Sequence, residues 1–234
     1  MMTRGDRPCH DAAQPVPQDR PVHLSLSEIN ALCLKAARGA GLDWGEAEEA
    51  GWAASWLSRA GLAGPSITLA WLTEAASLAR PAPAPGRWMA AKGAQCPLRC
   101  GIALADFADL PEGPGAYAIT VERVVHPLML LPFVARAAVW TGFGHEVRWR
   151  DHDVMPSATD LRHLADPTAD EPADLWISRV ERPLEPDTGP DRTPPIPGID
   201  WADWRALDTL ALRITVPSST QSRSGAGATG TDND

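Results

Sequence analysis

Positive charge is in short supply in this 234-residue chain. Lys and Arg number 21 against 30 Asp and Glu, a formal net charge of −9 with a pI near 5.1. A general nucleic-acid binder needs a basic face to neutralise phosphate, and no Lys/Arg cluster offers one. The same deficit argues against an anionic membrane surface. Long apolar runs are missing too. The most apolar stretch, Val124 to Ala138, is too short to span a bilayer and carries His126, Pro127, Pro132 and Arg136. No apolar segment follows the opening Met1-Met2-Thr3-Arg4-Gly5-Asp6, so no secretory signal is predicted and a soluble, cytoplasmic protein is expected. Cysteines number four. With a reducing compartment expected, Cys9, Cys33, Cys96 and Cys100 are predicted to be free thiols.

What is present is a globular composition with interruptions. Hydrophobic residues make up 44% of the chain, enough for a core, while 23 prolines and 19 glycines predict long irregular stretches. Residues 1–22 and 217–234 read as flexible tails around a single compact domain over 23–216. Within it, Ser25 and Glu28 form an S-x-x-E capping box before Leu26, Ile29, Leu32, Cys33, Ala36 and Ala37 recur at helical spacing. Gly39 and Gly41 end that helix. Asp43 caps a second, with Glu46 as its box partner, and Gly64-Pro65 opens a third whose stripe runs through Ile67, Trp71 and Leu78. A helical part over 24–80 follows.

Pro81 to Gly86 reads as an extended linker. A mixed part over 95–214 comes next. It has a strand over 116–125, a helix over 128–140 kinked or delayed by Pro132, and strands over 146–149 and 175–180. After six prolines between 182 and 199, a last helix over 201–214 is capped by Asp200. The predicted class is α/β or α+β: an N-terminal three-helix subdomain, then a small sheet with a strand–helix–strand unit, then a C-terminal helix.

Few residue patterns carry chemistry. Gly225-x-Gly227-x-x-Gly230 has the letters of a dinucleotide fingerprint but neither the strand before it nor the helix after it, so no cofactor is predicted. Cys96-x3-Cys100 supplies two soft ligands where a structural zinc site needs four, and no metal is predicted. His126 stands where a strand gives way to a helix, a position that suits an acid/base group or a donor to an anion at the helix N-terminus. Glu48 shares a helical face with Trp44, Gly51, Trp52 and Ser55. A carboxylate between indoles beside a glycine gap would be desolvated and its pKa raised. Arg136 interrupts an apolar helix, either as a snorkelling side chain or as the partner of a substrate carboxylate. The ten tryptophans stand beside one tyrosine and three phenylalanines. They suit core packing or a groove.

Three blocks together resemble a bacterial family of unknown function, domain-of-unknown-function family 3726. They are Ala37-Arg38-Gly39-Ala40-Gly41-Leu42-Asp43-Trp44-Gly45 with Ala47-Glu48-Glu49-Ala50-Gly51, then His126-Pro127-Leu128-Met129-Leu130-Leu131-Pro132-Phe133-Val134-Ala135, then the ending Gly225 to Asp234. The resemblance implies no activity. It singles out Trp44, Glu48, Glu49, His126 and Asp232-Asn233-Asp234, while Thr229-Gly230 departs from the family's ending.

Two functional expectations follow. In the first, the chain is a small-molecule enzyme or enzyme subunit. Glu48 and His126 act as acid and base on an anionic metabolite, and Trp44, Glu49, Arg136, Asp232 and Asp234 bind it. In the second, the chain is a non-catalytic accessory or assembly protein that binds a partner protein. A homo-oligomer is compatible with both. Glu48 and His126 together in one pocket would favour the first; their separation beside an exposed apolar patch would favour the second.

Overall fold

The computed structural model describes residues 20–90, 92–156, 161–164, 171–183 and 194–214. Three helices lead: α1 (Leu26–Gly39), α2 (Trp44–Arg59) and α3 (Gly64–Leu72). The α1 capping box is complete: the Ser25 hydroxyl accepts from Glu28 N, and Glu28 returns its carboxylate to Ser25 N at 2.8 Å. At α2, Asp43 accepts from Glu46 N at 2.7 Å, but the Glu46 side chain does not return to the cap. The third helix stops at Leu72, earlier than its apolar stripe suggests, and turns carry the chain from Thr73 to Ser77.

A five-stranded sheet follows, made of β1 (Arg87–Trp88), β2 (Ile119–Val124), β3 (Phe143–Trp149), β4 (His152–Val154) and β5 (Ala173–Pro183) in the order β1-β2-β5-β3-β4. Both β2 and β3 run antiparallel to β5, so they are parallel to each other with β5 between them. The strand–helix–strand unit is therefore a split one. Its crossover holds a 3₁₀ turn (Pro127–Leu130) and α5 (Leu131–Thr141). Pro132 falls in the first turn of α5, where its missing N–H costs nothing; it delays the helix rather than kinking it.

The class is α+β, with helices first, then the sheet, then α6 (Trp201–Leu212). Sequence periodicity predicts neither β1, β4 nor α4 (Pro97–Asp106), a helix that Cys96 precedes as N-cap and that carries Cys100. Pro97 supplies the helix start and Leu98, Gly101, Leu104 and Ala105 its buried face. α4 packs on α5 and on β2, α5 packs on β3, and α2 lies against both α4 and α5. Alternation along β2, β3 and β5 buries Ile119, Val121, Val147, Leu175 and Ile177 beneath the helices. Gln95, fully buried, stitches the edge: its side-chain amide donates to the Trp88 and Glu122 carbonyls at 3.2 and 2.5 Å.

The C-terminal helix joins the N-terminal part, packing on α1 and α3. Gly39 is the reason it can approach so closely: a Cβ there would lie 1.8 Å from the Leu210 carbonyl oxygen. Gly41, at φ +98°, is the residue that turns the chain. Val22 and Ile199 exchange two backbone hydrogen bonds at 2.8 Å, so pairing begins inside the segment read as a tail. Among the described residues, no helix is long and apolar enough to cross a membrane.

Candidate functional site

Helix α2 carries the acidic candidates Glu48 and Glu49, and its faces part them. Glu46 and Glu49 are three residues apart and turn towards α4 and α5; Glu48, between them, turns to solvent. Glu48 accepts a hydrogen bond from Trp44 Nε1 at 2.8 Å, and both residues are exposed. The expected desolvation fails because the space beside Gly51 is not open. A Cβ on Gly51 would meet the Asn30 carbonyl oxygen at 2.6 Å and Leu34 at 3.1 Å, so α1 fills it.

Glu49 meets Arg136, which donates from Nη1 to Oε1 at 2.9 Å; Oε2 lies equally near the same nitrogen as an ion pair without an aligned hydrogen bond. The Arg136 guanidinium lies 3.6 Å from the centre of the Trp52 ring, with Phe133 and Trp140 further out. Its partner carboxylate is thus the chain's own. Trp52 meets Phe133 edge to face at 5.3 Å. Beside this cluster, on α5, stand Val139, 66% exposed, and Trp140, 57% exposed, while Trp44, 59% exposed, lies eight residues before Trp52 with the Arg38 guanidinium 5.6 Å from its ring centre. Of the expected binding residues, Glu49 and Arg136 meet between α2 and α5, while Trp44 pairs with Glu48 at the exposed start of α2. Asp232 and Asp234 lie outside the described residues.

His126 is elsewhere. It follows β2, its backbone is left-handed at φ 47° and ψ 59°, and its side chain is 5% exposed. The imidazole does not cap the 3₁₀ turn; the His126 carbonyl instead accepts from Met129 N at 3.0 Å. A 3₁₀ turn begins directly after it, α5 begins five residues later, and the whole first turn of α5, Leu131 to Val134, is buried. The fold leaves Glu48 on the surface and His126 in the core.

The described thiols are held protonated. Burial pushes Cys33 up to about 12, and Cys96 and Cys100 are likewise raised by burial. Among the described residues, no group of three or more His, Cys, Asp or Glu side chains gathers where it could hold a metal ion.

A second cluster is one that sequence reasoning missed. Glu46, 9% exposed, receives Arg99 through two bonds, Nε to Oε1 at 2.7 Å and Nη2 to Oε2 at 3.3 Å, with Arg80 Nη2 at 3.5 Å. This two-point contact holds the Arg99 guanidinium still more firmly charged. The pair faces an open groove of about 330 Å³ between the start of α2, the Arg80–Pro83 segment and α4. The available signal was Pro97 before Leu98, Ile102 and Ala105: it marks α4, and α4 places Arg99 and Asp106 on one wall.

No curated protein matches the chain. Residues 24–109, which span α1 to α4 and stop short of the His126 block, match the model of a family described as a protein of unknown function (DUF3726), the family that the Ala37–Gly51 block resembles.

Proposed function

We propose that the chain is a non-catalytic accessory or assembly protein that binds a partner protein through the α2–α5 side. The observation that carries the reading is the exposure of Val139 and Trp140 on α5 beside an Arg136 already neutralised by Glu49. Large aromatics left in water beside a satisfied ion pair have the make-up of an interface centre, where tryptophan and arginine dominate. On α2, Trp44, Glu48 and Trp52 recur every four residues; on α5, Arg136 and Trp140 do the same, so each helix offers one continuous stripe. An acid/base enzyme built on Glu48 and His126 would need the two side chains to face one substrate, and Glu48 is exposed and bonded to Trp44 while His126 is buried.

The test is sedimentation velocity and cross-linking mass spectrometry on the whole chain, compared with a Trp44→Ser/Trp140→Ser variant of unchanged melting temperature. A defined complex, with a second copy or with another protein, that cross-links at α2 and α5 and dissolves in the variant supports the reading. Complexes that the variant forms equally well, or none at all, would sink it.

A further inference from the structure

The start of β3 is irregular. Its register with β5 passes from Phe143↔Pro183 to His145↔Arg179, so a two-residue step on β3 spans four residues of β5. At this break His145 turns to the helix-covered face with Val147. It is 2% exposed, and among the described residues neither ring nitrogen has an aligned hydrogen bond. The cover beside it is thin. Phe143 is half-buried, and Arg179, itself exposed, lays its guanidinium 3.2 Å from the centre of the Phe143 ring. Few charges face the imidazole. Arg179 is its register partner on β5, and the exposed Asp109 acts on it from the turn after α4. The one charge on α5, Arg136, is bonded to Glu49. On β3 itself, Glu146 and Arg148 belong to the opposite face and bond each other at 2.7 Å, and β4 pairs only with Val147 to Trp149.

We propose that His145 is an acid-operated latch on the junction of α5 and β3: a proton on its ring opens the start of β3 and frees the Trp140 end of α5. Burial keeps the ring neutral in the closed state; the Phe143 backbone and Asp109 favour its charge, and Arg179 opposes it. A charged ring there lacks an aligned acceptor and stands across the strand from a second cation. Opening takes it to water and to Asp109. The junction yields before the rest of the molecule because its ladder is already broken, Gly142 turns at φ 75° just before it, and Phe143 N reaches Thr141 Oγ1 only at 3.4 Å. Trp140 lies three residues before Phe143, so opening disturbs the surface read above as partner-binding. The acid sensitivity of a complex rests on that reading; the latch itself does not.

Hydrogen–deuterium exchange of the whole chain at pH 7.5 and 5.0, corrected for intrinsic rates, reads the latch without any partner. Amides of residues 140–147 should lose protection about tenfold at the lower pH, because the open chain takes up a proton near pH 6.5 that the closed one refuses. A low concentration of urea should leave that opening unchanged, whereas it should speed the buried α1 amides, which exchange through wider unfolding. His145→Gln should abolish the acid acceleration. Arg179→Gln, at an exposed position, should lessen it by removing the like charge. Circular dichroism melting would show that both variants remain folded. Protection at 140–147 that ignores pH, acceleration that persists in His145→Gln or is unchanged in Arg179→Gln, or acceleration that follows urea as α1 does, would overturn the proposal.

Discussion

Two ion pairs tie α2 to the rest of the molecule, and they are built differently. Glu46–Arg99 reaches α4 through two bonds, with side chains 10% and 21% exposed. Glu49–Arg136 reaches α5 through a single nitrogen, with a carboxylate 30% exposed and the guanidinium stacked on Trp52. In the first, a second carboxylate–guanidinium bond fixes the geometry. In the second, an indole face does that work and leaves aromatic surface exposed. The two pairs stand three residues apart on α2, one closed on itself and the other a cation sandwiched beside an exposed tryptophan, Trp140.

The comparison can be broken most sharply at the carboxylates. Glu46→Ala strands a mostly buried guanidinium and should cost about 2–3 kcal/mol, against about 1 kcal/mol for Glu49→Ala, both measured by urea unfolding. Equal losses would mean that burial does not separate the two pairs. Exchanging the cations is the finer test. Arg99→Lys loses its second bond and should cost about 1–2 kcal/mol. Arg136→Lys should cost about 0.5–1 kcal/mol and shift the tryptophan emission, since Trp52 loses its stacked guanidinium.

A third charged-group site, on the sheet, sets a scale for burial without a partner. His145 on β3 is 2% exposed, and among the described residues no aligned hydrogen bond reaches either ring nitrogen. Burial pushes its pKa below the ordinary 6.5; Arg179 pushes the same way, while the Phe143 backbone and Asp109 act against it. The unfolded chain therefore takes up a proton near pH 6.5 that the folded chain refuses, so this contribution to stability is complete above that pH and is lost as pH falls through the lower, folded value. Urea unfolding between pH 7.5 and 5.5 should show a loss on the order of 1 kcal/mol that His145→Leu removes. The smallest stability effect is expected at the candidate interface: Trp140→Ser, at an exposed position, should change stability by under about 0.5 kcal/mol while abolishing partner cross-links.

Much of the helical part was legible. The Ser25–Glu28 box, the Asp43 cap and the Gly64-Pro65 start are local signals, and each marks a helix end in the structure. α4 was not legible because its apolar stripe, Leu98, Gly101, Leu104 and Ala105, is short. β1 and β4, at two and three residues, are held by their neighbours and leave no periodicity of their own. Of the candidate residues, the spacing of Trp44 and Glu48 on one face was sound, since i and i+4 neighbours meet on any helix. The solvation of that face was not legible, because α1 fills the gap beside Gly51.

The sequence by itself determined the helix caps at Ser25 and Asp43, the breaks at glycine and proline, and the succession of three helices, then strands, then a last helix. All of these follow from contacts within a few residues. Only the tertiary structure decided that β5 would lie between β2 and β3, that α6 would return to Gly39, and that Glu46 would meet Arg99 and Glu49 meet Arg136. Those contacts join residues 53 and 87 positions apart. They exist because helices bury their apolar stripes together, and which charges then fall opposite one another is settled by that packing.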